Sequence, residues 1–278
     1  MVPALVVYIF VMIYPSIVGA VTAFTDARGR NDPQFIGLDN FVRLMSDRAA
    51  LGALGNTLII TVSLVLFQTL LGLLLAVLLS PRLHISGILR TVFFIPFVLP
   101  PLIIGVLWQY LYTPGGPIDT VLEGLGLGFL VQSWLGDPSI ALWSVIAAII
   151  WQNVGVSMII FIAGLERIPA ELYEASSLDG AGAWSTFWNV TRPLLAPATT
   201  IALTLTLVGS LKLFDQVFVM TGGGPGYATQ TLSLIMYQQA FVLGNYGYGT
   251  AIALVLTILV AFAAFIQVTI SRRYERDV

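Results

Sequence analysis

The sequence contains no cysteine and a single histidine, His84, among its 278 residues. The lack of cysteine excludes disulfides, thiolate catalysis and cysteine-ligated metals, and one histidine excludes a multi-histidine metal site. Charged residues make up 9% of the chain and hydrophobic residues 58%, whereas about a quarter of a soluble domain is charged. A net charge of −2 offers no basic surface for nucleic acid. The composition therefore indicates that the lipid bilayer is the solvent for this chain.

Six apolar runs are long enough to cross a bilayer, because about 20 helical residues span a hydrocarbon core of about 30 Å. The runs extend roughly over residues 2–24, 56–80, 91–112, 139–165, 194–214 and 249–270. They are apolar on every face, and a backbone in lipid must satisfy its own hydrogen bonds, so they are predicted to be helices. The sequence thus predicts an all-α, polytopic membrane protein with six transmembrane helices in one domain, residues 1–278. Pro96, Pro100 and Pro101 should kink the third helix.

The arginines predict the topology, because positively charged residues favour the cytoplasmic side. With both termini inside, the cytoplasmic segments hold seven arginines, at positions 82, 90, 167, 192, 272, 273 and 276. The outer segments hold four, Arg28, Arg30, Arg43 and Arg48, and all four lie in the first outer loop. The bias predicts cytoplasmic termini, outer loops at about 25–55, 113–138 and 215–248, and a long inner loop at about 166–193.

The inner loop at residues 166–193 is predicted to form two short helices. Pro169 suits the first position of the first helix, and Asp179 with Gly180 suits its end, the glycine adopting the left-handed conformation. The second helix would place an apolar face at i, i+3, i+4 and i+7, formed by Trp184, Phe187, Trp188 and Thr191. Such a face could dock on a partner, or it could pack on the chain's own helix ends or in the lipid headgroup layer.

The residues of this loop resemble the EAA loop of ABC importer permeases. The family pattern is Glu-Ala-Ala, three residues, Gly, nine residues and then Ile-x-Leu-Pro. Glu174, Ala175, Gly180 and Pro193 match at the correct spacing, and the departures are Ser176, Val190 and Arg192. Similarity continues at residues 35–41, 168–169, 214–215 and 221–226 and so covers nearly the whole chain. The combination resembles the carbohydrate-uptake branch, especially the first permease subunit of maltose, glycerol-3-phosphate and multiple-sugar systems.

This resemblance implies a type I ABC importer permease fold in the prokaryotic plasma (inner) membrane, with a sugar or sugar-like solute, an oligosaccharide above all, moved inward. The chain itself would be no enzyme and would hold no cofactor, since ATP and Mg would bind to a partner. The implied partners are a second, non-identical permease subunit, a cytoplasmic ABC ATPase dimer, and an extracellular or periplasmic solute-binding protein. The residues implied to couple to the ATPase are Glu174, Ala175, Ser176, Asp179, Gly180 and Pro193. Those implied to face the binding protein are Gly223, Gly224 and Pro225.

Polar side chains within the predicted spans mark a candidate solute path, because placing them against lipid is costly. Gln152 and Asn153 lie in the fourth span, and Thr199, Thr206 and Ser210 form a polar stripe on the fifth. Resemblance to the maltose permease places sugar contacts near Asn153, Val156, Thr206 and Ser210. Hydrogen bonding between helices, or to their own backbone, would explain the serine and threonine residues equally well.

Lys212 and Asp215 lie three residues apart near the outer end of the fifth span, so they could pair on one helix face. They could line the solute path or form a gate, but a snorkelling lysine paired with its neighbouring carboxylate is the favoured interpretation. The glycine-rich segment at 221–226 is not a P-loop, because the required Lys-Ser/Thr does not follow it.

Two other classes of protein remain as alternatives. A secondary transporter or channel without ATP coupling would normally carry buried carboxylates in its spans or an inverted repeat. The sequence places no charged residue near the middle of any predicted span. An intramembrane enzyme would need a nucleophile with a base, paired aspartates or metal ligands in the spans, and the predicted spans contain none of these sets.

Overall fold

The computed structural model describes residues 2–29, 32–79 and 86–276. Within these ranges the chain is helical, and its extended backbone pairs in one isolated bridge, between Thr25 and Phe35. The all-α prediction is therefore confirmed. Three residues considered from the sequence, Arg30, Arg82 and His84, lie outside the described residues.

The described residues form thirteen α-helices, numbered in chain order. They are α1 (Pro3–Thr22), α2 (Asp39–Ser46), α3 (Arg48–Leu78), α4 (Ser86–Val98), α5 (Pro101–Leu111), α6 (Pro117–Gly124), α7 (Ala141–Leu165), α8 (Ala170–Leu178), α9 (Ala183–Leu194), α10 (Ala196–Leu211), α11 (Asp215–Met220), α12 (Leu232–Val242) and α13 (Tyr246–Arg276). Single π-helical turns interrupt α1, α3 and α9, and another ends α12. A π turn fits an extra residue into the helix and so rotates the side chains that follow it.

Four of the helices, α1, α3, α7 and α13, are by themselves long and apolar enough to cross a membrane. The fourth and fifth helices form a pair bent by 100°, and α9 and α10 form a pair bent by 68°. Counting each bent pair as one span gives up to six spans, the predicted number.

The second span begins at Arg48, eight residues before the predicted start. The reason is local: the Asp47 carboxylate Oδ1 accepts hydrogen bonds from the backbone N–H groups of Ala49, at 2.9 Å, and Ala50, at 3.4 Å. This side chain satisfies two of the donors that a helix leaves unpaired at its N-terminus. Arg48 is consequently a helix residue rather than a loop residue.

The proline-rich third run does not form a continuous helix. Pro96 lies inside α4 without ending it, whereas Pro100 is extended, with ψ of 135°, and Pro101 begins α5. A proline disfavours helical backbone in the residue before it, so two consecutive prolines end one helix and start the next. The predicted kink is confirmed as a 100° break at residues 99–100.

The centre of the fold is α7, which packs on α3, α4 and α10. Small residues permit the close approach: Gly72 faces Ser157, Gly155 faces the backbone of Phe93, and Gly164 faces Ala198. Packing through small residues is typical of helices associating in a membrane, where apolar burial alone gives little net attraction. By contrast α1 buries none of its span.

Two ends of the bundle can be recognised from contacts. At one end Arg90 donates hydrogen bonds to the carbonyl oxygen of Leu79, at 3.0 and 3.2 Å, and forms an ion pair with Glu166 at 3.4 Å. This is the end that carries residues 166–193, called here the EAA loop. At the other end Asn56 donates to the carbonyl oxygens of Tyr227 and Gln230. The segment 221–226, called here the glycine loop, lies at that opposite end.

Candidate solute cavity and coupling loop

A cavity of about 390 Å³, called here the central cavity, lies between α3, α5, α7, α10 and α11. Its wall contains six of the seven residues proposed from the sequence for the solute path. These are Asn153, Val156, Thr206, Ser210, Lys212 and Asp215. The topology therefore brings together residues that are up to 62 positions apart, because Asn153 and Asp215 face the same space.

Gln152, the seventh residue, is not on the wall of the central cavity. Its side chain is 2% exposed, and both ends of its amide are engaged. Nε2 donates to the carbonyl oxygen of Leu99 at 3.1 Å, and Oε1 accepts from Nε2 of Gln216 at 2.8 Å. Leu99 lies at the break between α4 and α5, where the helical ladder is interrupted. Gln152 therefore connects the broken span to α11, an arrangement called here the amide bridge.

The neighbouring Asn153 has a different environment. Its Nδ2 donates to the carbonyl oxygen of Ile149 in the same helix, at 2.9 Å. Ser210 likewise donates to a carbonyl oxygen of its own helix, that of Leu207 at 3.0 Å. The carbonyl oxygen of the Asn153 amide accepts no hydrogen bond from the described residues. The wall therefore offers acceptor atoms to a bound solute.

The predicted ion pair between Lys212 and Asp215 is not formed, which corrects that interpretation. The spacing of three residues would matter on one helix, but α10 ends at Leu211 and α11 begins at Asp215. Among the described residues, only Arg90 and Glu166 form an ion pair within 4.0 Å, so the charged groups of Lys212 and Asp215 are farther apart than that. Lys212 and Asp215 instead contribute one positive and one negative group to the central cavity.

Sequence reasoning missed both glutamines of the cavity wall, Gln68 and Gln216. Gln68 lies within the apolar run at 56–80. Like Gln152, it is a glutamine inside a predicted span, so the same search for polar residues in spans could have found it. Its Nε2 donates to Ser157 Oγ at 3.1 Å and to Thr206 Oγ1 at 3.2 Å. Gln216 lies beyond the predicted fifth span, so the rule that selects polar residues within spans could not find it.

The glycine loop is fixed to its surroundings by Thr229. Its hydroxyl donates to the carbonyl oxygen of Gly224 at 2.8 Å and lies 2.6 Å from the hydroxyl of Thr221. Gly223 is buried with φ of +94°, and a Cβ there would come within 2.9 Å of Leu234. Of the three residues expected to face a binding protein, Gly224 and Pro225 are half-buried and Gly223 points into the fold.

The first helix of the EAA loop, α8, has the expected end and a slightly shifted start. Pro169 precedes the first helical residue, Ala170, instead of occupying that position. Gly180 has φ of +75°, and the N–H of the next residue donates to the carbonyl oxygen of Ser176 at 3.0 Å. These features form a left-handed helix end, in agreement with the prediction. A Cβ at position 180 would touch nothing within 4 Å, so the backbone conformation alone favours glycine.

The predicted apolar face of α9 is split, which corrects the sequence interpretation. Phe187 and Thr191 line a pocket of about 810 Å³ between the EAA loop and the ends of α3 and α7. Trp184 is 74% exposed, and Trp188 is exposed as well. The pocket covers only the side of the face that carries Phe187 and Thr191, whereas the rings of Trp184 and Trp188 pack on each other, with their centres 5.6 Å apart.

The two helices of the EAA loop are held together by side chains. The hydroxyls of Ser176 and Thr186 lie 2.8 Å apart, and those of Tyr173 and Thr191 lie 3.3 Å apart. Arg192, which stands where the EAA pattern has leucine, places its guanidinium 4.8 Å from the ring centre of Trp188. This cation–π contact accommodates the charge. Glu174, Ala175 and Asp179 remain on the exposed surface.

Comparison with known proteins gives a consistent result. Residues 68–276 match the family described as "Binding-protein-dependent transport system inner membrane component". The chain is 36% identical over 273 residues to the probable starch degradation products transport system permease protein AmyD of Thermoanaerobacterium thermosulfurigenes, covering 98% of this chain and 92% of that protein. It is 34% identical over 272 residues to the multiple sugar-binding transport system permease protein MsmF of Streptococcus mutans, covering 98% and 93%.

A chain in the crystal structure of a bacterial alginate ABC transporter, in complex with an alginate pentasaccharide-bound periplasmic protein, has the same fold. The TM-score is 0.86, with 23% sequence identity over 99% of this chain and 93% of that chain.

Proposed function

Because this chain belongs to the family of inner membrane components of binding-protein-dependent transport systems, we propose that it is the oligosaccharide-conducting permease subunit of an ATP-driven importer. The chemistry of the central cavity carries this proposal. Its wall combines amides, hydroxyls, one lysine and one carboxylate within an otherwise apolar bundle. Such a wall matches a solute that carries many hydroxyl groups.

The volume of the cavity supports a sugar-sized cargo. Small-molecule sites enclose about 300–1,000 Å³, and the central cavity, at about 390 Å³, lies near the lower limit. The transport systems of the relatives described above are named for starch degradation products and for multiple sugars. A chain of several sugar units would need a second wall. We assign that wall to a second, non-identical permease subunit.

The EAA loop is the proposed contact with a cytoplasmic ABC ATPase dimer, which would bind ATP and Mg. Leu178 is 89% exposed and Trp184 is 74% exposed, and both lie on the same rigid two-helix unit as Glu174. A large exposed apolar residue beside a carboxylate suits a protein partner better than water. ATP-driven closure of the ATPase dimer would move this unit and so tilt the helices around the central cavity.

The proposed orientation places the EAA loop and both termini in the cytoplasm. The excess of arginine in the segments assigned to that side supports it. The glycine loop and the loop at 113–138 would then face a periplasmic or extracellular solute-binding protein. Tyr227, next to the glycine loop, is exposed and available for that contact.

The absence of native cysteine permits a direct test. Leu178→Cys and Tyr227→Cys would be introduced separately into a tagged chain, and a thiol-reactive cross-linker would be applied to the native membrane. Both side chains are exposed and lie at opposite ends of the bundle, so each variant is a control for the other. We expect position 178 to capture an ATPase and position 227 to capture a solute-binding protein, with mass spectrometry identifying both.

Labelling in sealed, right-side-out vesicles tests the orientation. A membrane-impermeant maleimide should label position 227 and not position 178. A Glu174→Ala variant should lose ATP-driven sugar uptake while the amount of chain in the membrane stays constant. If the Leu178→Cys chain cross-links to no ATPase, and uptake survives ATP depletion, a secondary transporter or channel is favoured instead.

A further inference from the structure

Gln68 lies on the wall of the central cavity, at the end of a local irregularity of α3. The π turn at Leu64–Gln68 lies in the interior of this 31-residue span and ends at Gln68. The turn adds a residue to the helix and rotates the next side chains around the helix axis. Gln68 is 4% exposed and lines the central cavity, whereas Leu66 and Leu70 face outward.

The amide group of Gln68 is held in one orientation by two helices. Both hydrogens of Nε2 are used, one by Ser157 Oγ of α7 at 3.1 Å and one by Thr206 Oγ1 of α10 at 3.2 Å. A primary amide has two donor hydrogens and one acceptor oxygen. The donors of Gln68 are therefore satisfied by the protein, and the side chain cannot rotate without losing both bonds.

The acceptor oxygen of Gln68 is not satisfied by the protein. None of the described residues donates to Oε1, and this atom is not sealed inside the bundle. A residue that only joined helices would gain from using its acceptor as well, since an unpaired polar atom in a low-dielectric interior is costly. An oriented, unpaired carbonyl oxygen on a cavity wall is instead suited to receive a hydrogen bond from a solute.

We propose that Gln68 is a solute-binding residue whose Oε1 accepts a hydrogen bond from a hydroxyl group of the transported sugar. Ser157 and Thr206 are the positioning residues that aim this oxygen. This inference rests on the proposed function, and it adds α3 to the helices that recognise the cargo. Together with the Asn153 amide oxygen of α7, it gives the cavity fixed acceptors on two walls.

Cysteine labelling tests the position of Gln68 without knowledge of the cargo. Gln68→Cys in the assembled transporter would be treated with the cationic reagent 2-(trimethylammonium)ethyl methanethiosulfonate. Ala148→Cys is fully buried away from the cavity, and Leu70→Cys faces outward, so these two variants are the controls. We expect position 68 to react at least about tenfold faster than either control, because a charged reagent reaches side chains that face water and is excluded from the apolar interior and from lipid. Equal rates at 68 and 148 would overturn the proposal.

Uptake kinetics test recognition. In proteoliposomes that contain the assembled transporter and its binding protein, labelled maltotriose is the probe. Gln68→Met keeps the length of the side chain and removes the amide, whereas Gln68→Glu keeps an acceptor oxygen. We expect Gln68→Met to raise KM about three- to tenfold, the value of one hydrogen bond, with the maximal rate changed less than about twofold. Gln68→Glu should retain a KM closer to that of the unchanged chain.

The outcomes separate this inference from the proposed function. If the unchanged transporter imports neither maltotriose nor another oligosaccharide, the proposed cargo is wrong, and with it the role of Gln68. If it imports the sugar and Gln68→Met changes only the amount or thermal stability of the complex, then Gln68 joins helices and the inference alone is wrong. A higher KM in a complex of unchanged stability supports it.

Discussion

Two adjacent residues, Gln152 and Asn153, should respond oppositely to the same substitution. Gln152→Leu removes the amide bridge and leaves the Leu99 carbonyl oxygen and the Gln216 amide without their partners. Asn153→Leu removes a hydrogen bond within one helix, to the carbonyl oxygen of Ile149, which keeps its place in the helical ladder. The first change should therefore destabilise the fold, and the second should mainly alter the cavity wall.

The magnitude follows from the two hydrogen bonds that Gln152→Leu removes. Hydrogen bonds between transmembrane helices contribute on average about 0.6 kcal/mol each, with a maximum of about 1.7 kcal/mol. Removing both bonds should destabilise the protein by about 1–3.5 kcal/mol. For chains of about 150–250 residues, 1 kcal/mol corresponds to about 2–4 °C in Tm. We expect a decrease of about 2–14 °C for Gln152→Leu and of less than about 2 °C for Asn153→Leu.

The assay is thermal unfolding of the purified complex in detergent, followed as the fraction that remains monodisperse after heating. Uptake kinetics in proteoliposomes complete the comparison: Asn153→Leu should raise KM, whereas Gln152→Leu should lower the amount of active transporter. Equal losses of stability in the two variants would refute the assignment of the amide bridge. A changed KM in Gln152→Leu at normal stability would return Gln152 to the solute path.

Two further substitutions test close packing and the EAA loop. In Gly155→Ala the new Cβ would overlap the backbone of Phe93, so α4 and α7 must separate. We expect thermal unfolding to show a destabilisation of about 1–3 kcal/mol. Gly52→Ala in α3 is the control: its Cβ meets nothing within 4 Å, so Tm should stay unchanged or rise. Gly180→Ala forces an alanine to φ of +75°, which costs about 1–2 kcal/mol of conformational energy. This variant should reduce ATP-driven uptake at a constant amount of chain, whereas Gly180→Asn should retain uptake because asparagine tolerates the left-handed conformation. Equal uptake by both variants would show that the backbone conformation at position 180 is unimportant.

The features that the sequence predicted correctly are those decided by nearby residues. Apolar runs of sufficient length predicted the long apolar helices, and three prolines predicted a kink in the third run, which the structure shows as a break at residues 99–100. Gly180 after α8 predicted the left-handed helix end. In each case the physical cause acts within a few positions: lipid requires backbone hydrogen bonds within the segment, and proline and glycine restrict or permit local dihedral angles.

The features that the sequence did not reveal depend on contacts between distant residues or on the residue at which a helix ends. Gln68 donates to residues 89 and 138 positions away, and no local pattern records such partners. Phe187 lines the pocket beside the EAA loop while Trp184 and Trp188 are exposed, because the ends of α3 and α7 cover only part of this face, and those helix ends are distant in sequence. The end of α10 at Leu211 likewise removed an expected ion pair.

The positions of Gln152 and Asn153 also connect the cavity to the broken span. Consecutive residues of a helix point about 100° apart, so these two amides necessarily face different surroundings. Asn153 faces the central cavity, and Gln152 donates to the carbonyl oxygen of Leu99 at the break between α4 and α5. Gln216 belongs to both sets, since it lines the cavity and donates to Gln152. A solute that displaces Gln216 would therefore weaken the amide bridge, so the angle between α4 and α5 is where we expect cavity occupancy to be transmitted to the rest of the bundle.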